Sequence, residues 1–196
     1  MKKILGIGEL VWDVFPAGKQ LGGAPVNFAY FAKELGAEAY PVAALGCDQL
    51  GDEAMEVVRP SGLKLDYIQR NSLPTSRVLV TTDEQGVPQY EIVENVAWDA
   101  IECNEAILEL ASQADVICWG SLAQRSEVSR ATINRFLDAM PDTDDTYKIF
   151  DINLRQHFYC KETIENSFAK CNVLKINDEE LVVVSEMFGC QGLSQE

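Results

Sequence analysis

The sequence contains very little histidine. His157 is the only one among 196 residues, so a metal site that needs several histidines from one chain is excluded. A Ser-His-Asp or Cys-His arrangement would have to be built on His157 alone. No G-x-x-x-x-G-K-[ST] segment occurs, which excludes a P-loop nucleotide site.

Basic residues are also scarce. The 16 Lys and Arg against 31 Asp and Glu give a formal net charge of −15. A surface of this sign repels polyanions, so we expect neither nucleic acid nor a membrane as a partner. Apolar runs stay well short of the roughly 20 residues of a transmembrane helix, and Glu9 interrupts the run that follows the basic start. We therefore expect a cytoplasmic protein.

Two further kinds of site are disfavoured. The six cysteines form no C-x-x-C pair and have no spacing typical of zinc ligands, so reduced thiols in small apolar sites are expected. Gly6 and Gly8 resemble the start of a dinucleotide fingerprint, but Val11 stands where its third glycine is required.

Strand and helix signals alternate along the chain, which is typical of an α/β fold with a mostly parallel sheet. The connections are short enough for right-handed crossovers between neighbouring strands. The predicted strands are 3–9, 40–45, 115–119, 147–152 and 173–177, and the predicted helices are 24–35, 52–58, 105–111, 127–140 and 179–188.

A β-rich stretch interrupts this alternation. Segments 77–83 and 88–93 flank a turn-like connection at 84–87, which predicts an antiparallel hairpin. Together with 11–15 it would form a small sheet beside the main layer. We predict one α/β domain over 1–196 with a β lid inserted from about 11–21 and 76–95; an ordinary edge hairpin explains the pattern equally well. Ser194 resembles the N-cap of a further helix, so the domain is expected to be incomplete at its C-terminus.

The segment LGGAPVNFAYFAKELG carries the most specific signal. Gly22 and Gly23 allow backbone to approach a ligand closely, and Asn27, one turn into the helix, offers both a donor and an acceptor. A Gly-Gly turn before a helix also has purely structural uses, so its neighbours must decide.

With these neighbours the sequence resembles the PfkB (ribokinase-like) family of carbohydrate kinases, and most closely its fructokinases. The likeness runs from about residue 3 to residue 181 and comprises seven motifs in the family's order. The motifs are Gly8-Glu9-Leu10-x-Trp12-Asp13, Gly22-Gly23-x-Pro25-x-Asn27-x-Ala29 with Gly36, Gly46-x-Asp48-x-x-Gly51, Pro74-Thr75, Ala97-Trp98-Asp99, Asp151-x-Asn153-Leu154-Arg155 and Lys175-x-Asn177-x-Glu179-Glu180.

The resemblance implies a sugar site. Asp13 would accept hydrogen bonds from sugar hydroxyls, and Gly22, Gly23 and Asn27 would complete the pocket. Arg155 would neutralise the transferring phosphate. Taken alone, Asp13 would be interpreted as a solvated turn carboxylate and Arg155 as part of a surface ion pair.

The resemblance also implies ATP and Mg²⁺ as cofactors. Asn177 and Glu180 match the family's N-x-x-E pair, which organises the magnesium-nucleotide, with Glu180 reaching the metal through water. Taken alone, Asn177 would be interpreted as a helix cap before an acidic first turn. The family's G-A-G-D segment, whose Asp is the general base, does not occur, so the base is expected beyond Glu196 and no kinase activity is expected from these 196 residues.

Two functions from different classes follow. The first is a sugar kinase of the fructokinase type, which moves the γ-phosphate of ATP to a hydroxyl of fructose or a similar sugar. The alternative is a non-catalytic sugar-binding or regulatory module of the same fold. A generic nucleotide-binding α/β protein would explain the alternation but not the ordered motifs. A homodimer through the β lid is compatible with the hairpin.

Overall fold

The computed structural model describes residues 1–82 and 88–190. Its strands are β1 (Lys3–Ile7), β2 (Val11–Phe15), β3 (Gly18–Gly22), β4 (Glu38–Gly46), β5 (Ile68–Asn71), β6 (Arg77–Thr82), β7 (Pro88–Ile92), β8 (Val116–Gly120), β9 (Tyr147–Asp151) and β10 (Val173–Lys175). Its α-helices are α1 (Ala24–Glu34), α2 (Gln49–Val58), α3 (Glu105–Ser112), α4 (Glu127–Ala139), α5 (Lys161–Lys170) and α6 (Asp178–Phe188).

A six-stranded parallel sheet forms the centre, in the order β10-β9-β8-β1-β4-β5. The chain builds one side of this sheet from β1 through β4 to β5, and then returns to the other side of β1 with β8. The strand order therefore reverses at β1. In open α/β sheets, ligands bind beside the carboxyl ends of the strands at such a reversal. The fold itself places the candidate site after β1 and β8.

Both faces of the sheet are covered. Leu5 and Ile7 of β1 belong to the main core, together with Ile107 of α3 and Phe136 of α4. Ile4 packs into a different cluster, which includes residues of α1. Because neighbouring side chains of a strand point to opposite faces, α1 and the α3–α4 pair cover opposite sides of the sheet.

The close packing of α1 on β1 explains the two early glycines. A Cβ on Gly6 would lie 1.8 Å from the carbonyl oxygen of Pro25, and one on Gly8 would lie 2.9 Å from the Pro25 ring. Gly8 also has a φ of 149°, which side-chain-bearing residues rarely adopt. Helix packing at Pro25 and local backbone geometry therefore explain why glycine stands at both positions, and no dinucleotide-binding role is needed to explain it.

A second, four-stranded sheet has the order β3-β2-β6-β7. β2 pairs antiparallel with β3 and parallel with β6, and β6 pairs antiparallel with β7. The predicted pairing of the hairpin with 11–15 is confirmed. The predicted turn at 84–87 and the predicted N-cap at Ser194 lie outside the described residues.

The ten predicted strands and helices of the main layer are confirmed, with ends that differ by up to three residues. The strand predicted over 173–177 ends at Lys175 because Asn177 is the N-cap of α6. The helix predicted from residue 52 begins at Gln49 because Asp48 caps it. The sequence interpretation missed β3, β5 and α5. In the described ranges, no helix has the length and apolar character needed to span a membrane.

Candidate functional site

A cavity of about 810 Å³ opens where β1 and β8 end. The second sheet forms its apolar wall, with Val11 and Phe15 from β2, Val78 from β6 and Ile92 from β7. Leu122, which follows β8, also contributes. The polar lining groups are Glu9, Asp13, Asn27, Asn153, Arg155 and Gln156. The cavity thus combines apolar faces with several convergent polar groups, as small-molecule sites do.

Asp13 lies on β2 and is half-buried at the cavity. Gly22 gives its carboxylate room, because a Cβ at that position would lie 2.8 Å from Asp13 Oδ2. Burial raises the pKa of Asp13, while the positive charge of Arg155 acts in the opposite direction. Asp13 is therefore not the freely solvated turn carboxylate of the simpler interpretation.

Gly23 is the N-cap of α1 and brings that helix against the end of β1. Its φ is 123°, and a Cβ there would lie 2.2 Å from the carbonyl oxygen of Glu9. Only glycine fits such an approach. One turn later the exposed Asn27 reaches the same cavity as Asp13, so two predicted site residues from different elements are brought together.

Arg155 lies in the loop after β9, between two residues with left-handed backbones. Asn153 has a φ of 44° and Gln156 a φ of 48°. Such conformations cost free energy and cluster at functional sites. The guanidinium of Arg155 donates to the carbonyl oxygen of Leu154 at 3.0 Å, and no carboxylate in the described ranges lies within ion-pair distance of it. The structure does not show the surface ion pair that was the alternative interpretation.

Asn177 and Glu180 have a different environment. Asn177 Oδ1 accepts from the Glu180 N–H at 2.8 Å, and Glu180 Oε2 accepts from the Asn177 N–H at 3.1 Å, forming a capping box. Glu180 Oε1 accepts from the Leu154 N–H at 3.0 Å. This last bond ties α6 to the Arg155 loop. Neither Asn177 nor Glu180 lines the 810 Å³ cavity.

This geometry does not fit direct coordination of Mg²⁺ by Glu180. The side chain is buried, and both of its oxygens already accept backbone N–H groups. Across residues 1–82 and 88–190, no group of three or more His, Cys, Asp or Glu side chains is placed to hold a metal ion.

Glu9 is one of the site residues that sequence reasoning missed. It follows β1 directly, lines the cavity and is only 2% exposed. Burial is the main cause that raises its pKa to about 7. The available signal was an acidic residue placed immediately after a buried strand, at the point where the strand order reverses.

A second cavity, of about 430 Å³, shares Asp13 and Asn27 with the first. Gly22 lines this cavity and not the larger one. Tyr30 and Phe31 of α1 form part of its apolar wall. The two cavities therefore meet at the Asp13 and Asn27 side chains.

The sequence and fold are similar to those of known sugar kinases. The chain is 25% identical over 195 residues to a fructokinase of Salmonella typhimurium, covering 93% of this chain and 62% of that protein. It is 21% identical over 196 residues to a putative sugar kinase, PH1459, of Pyrococcus horikoshii, covering 91% and 63%. The chain thus spans about three-fifths of the length of these relatives.

Solved structures confirm the fold class. The complex of the Pyrococcus horikoshii kinase with ATP superimposes with a TM-score of 0.82 at 20% identity, covering 95% of this chain and 66% of that one. A fructokinase of Xylella fastidiosa gives 0.81 at 20% identity, covering 95% and 63%. The pattern of the pfkB family of carbohydrate kinases matches residues 3–191. With seven ordered motifs, this fold and that match, the chain belongs to the pfkB carbohydrate kinase family.

Proposed function

We propose that the chain supplies the sugar site of an ATP-dependent carbohydrate kinase of the fructokinase type. The whole enzyme would transfer the γ-phosphate of ATP to a hydroxyl of fructose or a similar sugar. The observation that carries the proposal is that Asp13, Asn27 and Arg155, from three separate elements, line one cavity at the reversal of strand order. The relatives named as fructokinases and the neighbour solved with ATP support the substrate class and the nucleotide.

Each polar group then has a role. Asp13 accepts hydrogen bonds from sugar hydroxyls, and such charge-assisted bonds fix the orientation of the sugar. Asn27 donates and accepts beside it, while Gly22 and Gly23 keep the space free of side chains. Arg155 has no carboxylate partner in the described residues, so its charge is available to the transferring phosphoryl group.

The second sheet would act as a lid, over about 11–21 and 76–95. Val78 and Ile92 present apolar groups to the cavity from β6 and β7. An apolar cover over a bound sugar excludes water, which would otherwise compete for the phosphoryl group. The proposal includes a cytoplasmic location and a homodimer formed through this sheet.

The chain provides fewer residues for the nucleotide site than for the sugar site. Asn177 and Glu180 would support the nucleotide from behind the Arg155 loop, and Glu180 would meet Mg²⁺ only through water. Mg²⁺ would supply charge neutralisation on the phosphates when bound. Because the sequence contains no G-A-G-D segment, we assign no proton acceptor here and expect the 196-residue chain to bind sugar without transferring phosphate. A sugar-binding or regulatory module is the alternative, because neither Asn177 nor Glu180 lines the sugar cavity.

Calorimetric titration of the chain with fructose tests the proposal. We expect saturable binding in the wild type and a loss of at least tenfold in affinity in Asp13→Asn, because one charge-assisted hydrogen bond contributes about 1.5–3 kcal/mol. Glu105→Gln, an equal loss of charge on α3 outside the cavity, should bind like the wild type. A folded wild type without sugar affinity, or Asp13→Asn with unchanged affinity, would refute the sugar site. Binding of Mg-ATP in the same titration would favour the kinase over the alternative, which predicts no nucleotide binding.

A further inference from the structure

One oxygen of the Glu9 carboxyl group lacks a hydrogen-bond partner in the described part of the chain, although the backbone N–H groups of Glu9 and Ala24 lie near enough to this carboxyl to lower its pKa. Asn153 Nδ2 donates to Glu9 Oε1 at 3.4 Å, which is long for a hydrogen bond. Glu9 Oε2 is buried and has no hydrogen-bond partner among the residues that the structure describes. Leaving a buried acceptor unpaired costs free energy, so such a group calls for a functional or structural reason.

The other buried acids of the described chain are all well partnered. Asp99 accepts two bonds of 2.8 Å from Arg125, and Asp151 accepts two of 2.9 Å from Lys175. Glu180 accepts from two backbone N–H groups. Glu9 differs from these three acids in having an unpartnered oxygen, and it differs also in lining the 810 Å³ cavity.

The surrounding charges make this carboxyl responsive to a ligand. Burial is the largest cause that raises its pKa, and the negative charge of Asp151 adds to it. Backbone N–H groups of Glu9 and Ala24, and the positive charge of Arg155, lower the same pKa. These effects hold the pKa at about 7, so a hydroxyl donor in the cavity would meet a group that is ionised in part at neutral pH.

We propose that Glu9 is a second substrate-contacting acid, whose Oε2 accepts a hydrogen bond from a hydroxyl of the bound polyol while Asn153 holds Oε1. This inference rests on the proposed function and deepens it. Asp13 and Glu9 would bind different hydroxyls, which makes the cavity selective for a sugar with free hydroxyls at both positions. A carboxylate or phosphate of the ligand would be repelled from the position next to Glu9.

Titrations of fructose and its monodeoxy analogues into the wild type, Glu9→Gln and Asp13→Asn test the inference. Glu9→Gln preserves the shape of the side chain and removes the charge. We expect it to bind fructose about tenfold or more weakly, as the loss of a bond to a charged group implies. It should bind one monodeoxy analogue as well as the wild type does, because that analogue lacks the hydroxyl concerned. A residue that only supports the fold would lower the affinity for every analogue equally.

Different results separate the two proposals. If the wild type binds no sugar, the proposed function and the role of Glu9 both fail. If Asp13→Asn loses affinity while Glu9→Gln binds fructose and every analogue like the wild type, only the role of Glu9 fails. A Glu9→Gln chain that does not fold would show that the carboxylate supports structure, which would also overturn the inference. Glu105→Gln again provides the control for the loss of one charge and should leave all affinities unchanged.

Discussion

At the scale of single residues, Glu9 makes stability depend on pH. Its pKa rises from 4.5 to about 7 on folding, so the folded state holds this proton more tightly than the unfolded chain does. The stabilisation from this proton is fully present below pH 4.5 and disappears as the pH rises through about 7. Its size is up to about 3 kcal/mol, since one pKa unit corresponds to about 1.4 kcal/mol.

Urea unfolding at pH 5 and pH 8 measures this effect. Relative to the wild type, Glu9→Gln should gain stability at pH 8, because an amide carries no charge that burial would penalise. The two proteins should be closer in stability at pH 5, where Glu9 is protonated in the folded state. The same difference between wild type and variant at both pH values would contradict the assigned titration.

Gly23 should be the least replaceable glycine of the paired motif. Gly23→Ala would force a Cβ to within 2.2 Å of the Glu9 carbonyl oxygen and would strain a backbone at φ 123°. Gly36→Ala is the matched control, because Gly36 also has a positive φ, of 91°, but nothing lies within 4 Å of the added Cβ. We expect a loss of about 1–2 kcal/mol for Gly36→Ala from backbone strain, and clearly more for Gly23→Ala. Equal losses in urea unfolding would show that the close contact at Glu9 is unimportant.

At the scale of elements, variants of the α6 capping box distinguish the contribution of Asn177 to stability from its contribution to nucleotide binding. Asn177→Ala removes the acceptor of the Glu180 N–H and should cost about 1 kcal/mol of stability. Asn177→Asp retains a capping oxygen and should recover that stability. If Asn177 also contributes its amide to the nucleotide site, Asn177→Asp should still bind Mg-ATP more weakly than the wild type. Unfolding and nucleotide titration together test this, and equal stability of the wild type and Asn177→Ala would contradict the cap.

The motifs that revealed the family proved to include many structural contacts. Asp48 accepts from the Gly51 N–H and from both the N–H and the hydroxyl of Thr75, so two motifs form one network. Asp99 is bound by Arg125, outside any motif. Motif order therefore predicted the family correctly, but it could not show which members face a ligand, because facing depends on contacts between distant segments.

Strongly patterned elements could be predicted from the sequence and weakly patterned ones could not. The helix after Gly23 carries glycine, proline and apolar signals that agree, and its prediction was accurate to one residue. By contrast, α5 buries only Thr163, Ile164 and Ser167, two of which are polar, so its apolar pattern is weak. β5 has one fully buried residue, Ile68. The unpartnered oxygen of Glu9 depends on packing in three dimensions, so no local pattern announces it.

At the scale of the whole molecule, the two edges of the central sheet differ. β5 carries Gln69 and Arg70, which discourage pairing with another chain. β10 lies at the other edge, and its Val173 and Leu174 are 37% and 43% exposed. An exposed apolar edge strand is a template for association, so the purified 196-residue chain should self-associate through β10 as its concentration rises.

Sedimentation velocity of the wild type and Leu174→Lys tests this edge. A lysine on an edge strand opposes pairing between chains, so the variant should remain smaller than the wild type at the same concentration. The proposed homodimer through the second sheet gives a different result, because its strands lie in a separate sheet from β10 and the lysine would leave it intact. Arg70→Lys, which keeps the positive charge on the opposite edge, is the control. Identical association in wild type and Leu174→Lys would exclude β10 as the contact, and the second sheet would be the surface to test next.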